Sequence, residues 1–359
     1  MKLSIISALL CYMLKLALSE NMPILFFPGF GGSKLDNTLK DAKLSCFGRM
    51  DAIVDLSTLK IRRTELFHTF YNFFLLRQYE NGIDIAAAPY DFRKIPNDAY
   101  YDKVGELIEK MYNVSKKKVT IVAHSFGTIV ALYFLNHKSQ KWKNDHIKLY
   151  IPISGPFSGS VKTIKGMLLG DSFGIFYTKP EQWKKLETSW NVPIAAAPST
   201  TKWKSQEPFV LTKNKNYTIN NMDELLTSVN IPYGLNRWKA VKSLVNDLKE
   251  PQVDTLCFYG GGLYTIKQLD YRHTDYPHGK PKLYYEKADG TVNYESLTRC
   301  TKWSKSKYFR YHQQFDQNTH VGILHNKEMI KLIYDHMYRD HPRPSIIIVK
   351  PETINIFSS

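Results

Sequence analysis

The stretch Val119-Thr-Ile-Val-Ala-His-Ser-Phe-Gly-Thr-Ile-Val130 surrounds one serine with neighbours suited to nucleophilic chemistry. A β-branched run enters Ala123-His124-Ser125-Phe126-Gly127, and apolar residues at helical spacing follow at Ile129, Val130, Leu132, Tyr133 and Leu135. The pattern predicts strand, sharp turn and helix, with Ser125 at the apex. A turn this tight admits only small residues two positions to either side, here Ala123 and Gly127. It lifts the hydroxyl above a sheet and aims a helix N-terminus at developing negative charge. The common order is G-x-S-x-G, and alanine in first place keeps the lack of bulk that matters. A buried serine capping a helix would leave the same trace, so the partner residues decide.

An attacking serine needs a base within hydrogen-bond reach, and the base needs an acid to fix its tautomer. Behind a strand-turn-helix serine the acid and the histidine follow in that order, on loops after late strands. Among eleven histidines, His320 sits in Gln317-Asn-Thr-His-Val-Gly322, after the final strand pattern and before the closing helix. His312 falls within the strand pattern and His325 starts the helix, so packing or capping suits them better. His124 adjoins the serine as a structural neighbour. For the acid, Asp289 occupies the tight turn Lys287-Ala-Asp-Gly-Thr-Val292, which presents a carboxylate on a rigid loop. Asp270 and Asp275 sit in a polar stretch without such a turn, and Asp316 is close enough to His320 to be a local surface partner. The oxyanion donors expected are the backbone N–H groups of Phe126 and of Phe30 in the first-strand loop. Both side chains are apolar and can line an acyl pocket.

The elements that must carry these residues read as an α/β fold. Ile24-Leu-Phe-Phe-Pro28 is a short buried strand ending in the glycine-rich turn Pro28-Gly-Phe-Gly-Gly-Ser33. A dinucleotide fingerprint would need glycine where Lys34 stands, and the phosphate-loop spacing is absent too, so no cofactor is expected. Strands follow at 83–88, 119–124, 147–153, 254–259 and 308–313, with helices at 101–114 and 326–337. Strands alternating with helices, each ending in a Gly/Pro-rich loop, predict a mainly parallel sheet covered on both faces. From 160 to 250 the periodicity breaks, and Trp183, Trp190, Trp203 and Trp238 stand among many lysines. This reads as an inserted, membrane-facing cap over the sheet's active edge, its tryptophans beside lysines expected at a lipid–water boundary, with a packed core as the alternative.

The 359 residues carry a formal charge of +16 and four cysteines. Lys2, an apolar run from Leu3 to Leu14, and Ala17-Leu18-Ser19 read as a secretory signal over 1–19. The expected division is core over 20–159 and 251–340, cap over 160–250, and a tail over 341–359. No later run is long enough to span a membrane. The route is then secretory, to the exterior or to a lysosomal or vacuolar lumen, and Asn113 and Asn216 head glycosylation sequons. A basic surface of this kind is drawn to anionic lipid head groups, although a lysine-rich proteome would look alike. No nucleic-acid module is present. Cys11 leaves with the signal. Pairing Cys257 with Cys300 encloses Asp289, and Cys46 is left free.

With these pieces placed, the chain resembles the lecithin:cholesterol acyltransferase family from about Pro23 to Leu332. The marks are the Pro28-Gly29 loop, Ala88-Pro-Tyr-Asp-Phe-Arg93, Ala123-His-Ser-Phe-Gly127, Asn216-Tyr-Thr218, Cys257-Phe-Tyr-Gly-Gly-Gly-Leu263, Asp289-Gly-Thr-Val292 and His320. The resemblance implies an α/β-hydrolase fold, a Ser125–Asp289–His320 triad and a Cys257–Cys300 disulfide. It also implies a serine phospholipase A or acyltransferase that takes an acyl group from a glycerophospholipid at a membrane or lipid-particle surface. Water or an alcohol then receives that group. A carboxylesterase or neutral-lipid lipase would use the same triad. Family members often staple a short lid loop near the N-terminus. Here Cys46 has no partner before Cys257, which implies an untethered lid, with Tyr71-Asn-Phe-Phe-Leu-Leu76 available as an apolar finger.

Overall fold

The computed structural model describes residues 21–33, 65–171, 179–199, 203, 206–229, 231, 234–246 and 248–339. The expected signal segment, Cys46 and the tail over 341–359 lie outside the described residues. In chain order the strands are β1 (Ile24–Phe27), β2 (Ile85–Ala87), β3 (Val119–His124), β4 (Ile147–Ile153), β5 (Val210–Leu211), β6 (Asn216–Tyr217), β7 (Thr255–Gly261), β8 (Leu263–Asp270), β9 (Lys282–Ala288) and β10 (Phe309–Asp316). The helices are α1 (His68–Leu75), α2 (Asp98–Ser115), α3 (Phe126–Asn136), α4 (Gln140–His146), α5 (Val161–Leu169), α6 (Pro180–Glu187), α7 (Asn191–Ala195), α8 (Met222–Ser228), α9 (Gly234–Asn246), α10 (Tyr294–Leu297) and α11 (Lys327–Met337).

Six strands form one sheet in the order β10-β7-β4-β3-β1-β2, every pair parallel. Its central strands are short apolar runs because both faces are covered. Successive residues alternate between two cores: Leu25, Phe27, Ile121 and Ala123 on one side, Ile24, Phe26 and Val122 on the other. On the first side lie α2, started by an Asn97 side-chain cap on the Tyr100 N–H, and α3. From Phe126 to Leu135, α3 is buried at every residue except Tyr133, as a helix apolar on all sides should be. On the second side, α1 and α11 pack through Phe70, Phe74, Met329, Ile330 and Ile333.

A second sheet, β6-β5-β8-β9, was not foreseen from the sequence. The hairpin β8–β9 leaves the end of β7 and pairs through β8 with β5 of the 160–250 insert. The insert's tryptophans turn inward: Trp238 is buried, Trp183, Trp190 and Trp203 are half-buried, and Trp190 packs against Phe30 and Phe92. Of the two surroundings the sequence allowed them, the packed core is the one observed. The apolar finger proposed at 71–76 is also mostly packed, since Phe74 is buried and Phe73 stacks on Tyr334, leaving Leu75 and Leu76 exposed. Among the described residues, no helix is long and apolar enough to cross a membrane.

Candidate active site

Ser125 stands between the end of β3 and the start of α3 with φ 53° and ψ −131°, a backbone conformation that L-residues rarely adopt. The turn is forced by proximity. A Cβ on Gly127 would sit 2.5 Å from the carbonyl oxygens of both Phe27 and Pro28, so only glycine fits there. The loop after β1 is pressed against the serine in the same way, for a Cβ on Gly29 would lie 2.6 Å from that of Ser125. Phe30, next in that loop, and Phe126, the first residue of α3, both line the cavity in front of Ser125.

The histidine arrives from the far side of the sheet. β10 is an edge strand, and after Asp316 the chain turns back across the end of β7, where the Gln317 N–H donates to the Gly261 carbonyl at 2.9 Å. The crossing needs Gly260, because a Cβ there would lie 2.3 Å from the Asn318 carbonyl oxygen. His320 is then delivered to the serine: the Ser125 hydroxyl donates to His320 Nε2 at 2.8 Å. His320 Nδ1–H donates to Asp289 Oδ2 at 2.7 Å. A carboxylate only accepts, so this bond fixes the tautomer that leaves Nε2 free to take a proton.

Asp289 is fully buried and held on both oxygens. Its Oδ1 accepts the backbone N–H groups of Thr291 at 2.9 Å and Val292 at 2.7 Å, the Asx turn expected of Asp-Gly. Its carbonyl accepts the His320 N–H at 2.9 Å, so acid and base are joined through backbone as well. The structure thus brings Ser125, His320 and Asp289 into one hydrogen-bonded chain. The rival residues are elsewhere. Asp270 is tied to Arg272, Asp275 and Asp316 are exposed, His312 is exposed on β10, and His325 bonds Thr69.

Cys257 and Cys300 form a disulfide, closing a separation of 43 residues around Asp289. Asn113 is exposed on α2 and Asn216 on β6, although Ser115 of the first sequon is buried, with its hydroxyl on the Met111 carbonyl. The cavity before Ser125 measures about 330 Å³. Its walls include Val192, Pro193, Ala196 and Val292, with a polar wall of Lys162, Asp171 and Glu187. Among the described residues, no group of three or more His, Cys, Asp or Glu side chains could hold a metal ion.

A family model described as lecithin:cholesterol acyltransferase matches residues 37–337. The chain belongs to the lecithin:cholesterol acyltransferase family. It is 30% identical over 294 residues to the bovine (Bos taurus) protein named lysosomal phospholipase A and acyltransferase, covering 80% of this chain and 70% of that one. It is 27% identical to the human (Homo sapiens) phosphatidylcholine-sterol acyltransferase, over 82% of this chain and 65% of the relative. Among solved structures, the Tle4–Tli4 complex superposes with a TM-score of 0.52 at 12% identity, covering 71% of this chain and 68% of that one, which speaks to the fold.

Around this site His124 is the structural neighbour expected from the sequence, whereas Thr265 and Glu187 escaped the sequence reading. His124, at 2% exposure, donates from Nε2 to the His320 carbonyl at 2.7 Å and so anchors the loop of the base. Its Nδ1 is buried with no hydrogen-bond partner among the described residues, and burial lowers the ring's pKa to about 3. Thr265 of β8 accepts the Gly290 N–H at 2.8 Å and steadies the turn of the acid. Glu187 reaches the cavity from the insert. A helix-end acid among lysines gives no sequence signal that sets it apart from a solvated one.

Proposed function

We propose that this chain is a serine phospholipase A and O-acyltransferase. It takes an acyl group from a glycerophospholipid and passes it to water or an alcohol. The observation that carries the reading is the Ser125–His320–Asp289 chain of hydrogen bonds at 2.8 and 2.7 Å, facing a largely apolar cavity. The names of its relatives supply the substrate class.

Ser125 Oγ attacks the ester carbonyl while His320 Nε2 takes its proton, and Asp289 stabilises the imidazolium that forms. The tetrahedral oxyanion is held by the N–H groups of Phe126 and Phe30, which cost no reorganisation when charge develops. His320 returns the proton to the departing lysolipid oxygen, leaving an acyl-serine. Water or an alcohol then gives its proton to His320 and attacks the acyl carbon, and His320 passes that proton to Ser125 Oγ as the fatty acid or ester leaves. Nothing in this sequence of steps calls for a cofactor or a metal. The substrate surface is a phospholipid membrane or lipid particle. The disulfide and the relatives' names support a secreted or a lysosomal or vacuolar lumenal setting, with Asn113 and Asn216 as glycosylation sites.

The test is product analysis with phosphatidylcholine vesicles, with and without an added long-chain alcohol, for the native chain and Ser125→Ala. The native chain should release fatty acid and, with alcohol present, an alkyl ester. Ser125→Ala should lose at least about 10³-fold in kcat while keeping its melting temperature. Turnover retained by the variant, or hydrolysis confined to short-chain esters, overturns the reading.

A further inference from the structure

We propose that Glu187 reads the head group of the phospholipid: as the carboxylic acid it hydrogen-bonds the phosphodiester held over Ser125, and as the carboxylate it repels it. The proposal rests on the phospholipase reading above and concerns a residue that the catalytic steps leave unused. Glu187 ends α6 and is 4% exposed, yet it lines the same cavity as Ser125 and His320. It is a built position. A Cβ on Gly166 of α5 would lie 2.9 Å from both of its carboxyl oxygens, so the absence of a side chain there makes its seat. One oxygen, Oε2, accepts the Asp171 N–H at 3.0 Å, which fixes the carboxyl group against the wall.

The charged groups around it set what it can bind. From α5, Lys165 lies 3.4 Å and Lys162 3.8 Å from the Asp171 carboxylate, and Lys162 and Asp171 share the cavity wall with Glu187. His320 lines the same cavity, and Arg237 of α9 caps the carbonyl of the next residue, Thr188. Lys184 and Lys185 lie on its own helix. With Glu187 protonated, two lysines against one aspartate leave this wall with one net positive charge, the complement of a phosphodiester. With Glu187 ionised the surplus disappears, and a second carboxylate stands beside the phosphate. Burial raises the Glu187 pKa from 4.5 to about 7, against the Asp171 N–H bond and the two lysines, which lower it, while the Asp171 carboxylate adds a smaller rise. The change of state therefore falls within the working range of a lumenal or extracellular enzyme.

The experiment compares two substrates from pH 5.5 to 8.5: phosphatidylcholine in micelles of a neutral detergent, and p-nitrophenyl butyrate, which has no phosphate. The quantity read is the ratio of their initial rates, so that any pH dependence of the acyl-transfer steps common to both cancels. In the native chain the ratio should fall about tenfold between pH 6 and pH 8. In Glu187→Gln, neutral at every pH, it should stay level, and in Glu187→Asp a fall should remain. A contact of purely structural worth would lower both rates together and leave the slope of the ratio in place. A level ratio in the native chain overturns the proposal whatever the variants do, and so does an unchanged slope in Glu187→Gln. A protein that cleaves the short ester and leaves the phospholipid intact at every pH overturns the phospholipase reading first and this inference with it.

Discussion

In the six-stranded sheet the strands lie parallel, their residues shared alternately between two cores, while the four-stranded sheet buries one face and shows the other to solvent. On the hairpin β8–β9, Tyr264 is 71% exposed beneath the Lys287 ammonium at 3.6 Å, and Tyr285 stands beside it. The inner face carries Thr265 and Glu286, which hold Gly290 and Asn293 next to Asp289. The two sheets therefore constrain their share of the triad by different means. Ser125 is fixed by steric exclusion, since the backbone of the β1 loop leaves room for nothing larger than glycine at 127. Asp289 is fixed by hydrogen bonds from a hairpin that has little core of its own. Steric confinement tolerates a lost polar contact, whereas a hydrogen-bonded turn does not. The acid is the end of the triad that should loosen first.

Cutting the link between the sheets should have the largest effect on stability. Cys257 lies in β7 of the large sheet and Cys300 beyond the hairpin, so the disulfide closes 43 residues that include all of β8, β9 and Asp289. On the chain-entropy model such a loop contributes about 4 kcal/mol. Replacing both cysteines by alanine should lower the unfolding free energy obtained from urea titration by that amount and depress kcat further at temperatures well below melting. If the two regions are as unlike as their construction suggests, fluorophosphonate labelling of Ser125 should fail before the far-ultraviolet signal of the large sheet is lost. Coincident loss of both would show that the hairpin and the large sheet melt as one unit.

The same contrast explains what could be read from the residues alone. The serine turn, the β3 and β4 strands and the placing of His320 were legible because buried parallel strands are continuous apolar runs, and tight turns demand small residues. Asp289 was legible through its Asp-Gly turn, which its rival Asp270 lacks, and the structure ties Asp270 to Arg272 instead. The hairpin 263–288 was not legible. Its exposed face mixes tyrosine with lysine, and such a stretch scans as polar loop until its partner strand is known. The tryptophans of the insert were ambiguous for a related reason: composition states that an aromatic is present and not which way it points. Strand limits also moved, with β10 running on to Asp316 because pairing with β7 continues past the apolar residues.

A test on the large-sheet side uses His124. Its ring is kept neutral by burial, with a pKa lowered from 6.5 to about 3, while the unfolded chain takes up a proton below 6.5. The unfolded state therefore binds more protons as the pH falls, and stability present above pH 6.5 is lost progressively toward pH 3. At pH 5 the loss amounts to roughly 2 kcal/mol. His124→Gln keeps a side-chain donor for the His320 carbonyl but does not titrate. Its unfolding free energies at pH 7 and pH 5, obtained from urea titration, should lie closer together than those of the native chain by that amount. An equal spread in both proteins would mean that acid lability originates elsewhere, the more exposed hairpin side being the first place to look.

On the hairpin side the matching change is Thr265→Val, which keeps the shape and removes the oxygen that accepts the Gly290 N–H at 2.8 Å. Thr265 is 1% exposed and Val fills the same space without an acceptor, so the Gly290 N–H loses its bond and stability should fall by about 1 kcal/mol. The functional signature matters more than the size of that loss. The Asx turn that orients Asp289 passes through Gly290, so a slackened turn lets the carboxylate drift from His320 Nδ1. A small misplacement of a group that acts in the transition state lowers kcat and leaves KM nearly unchanged, here about three- to tenfold. Thr265→Ser, which restores the oxygen, should recover most of it. A fall in melting temperature with kcat intact would show that Asp289 is held by the Thr291 and Val292 amides alone, and the hairpin would then serve the fold without steering the acid.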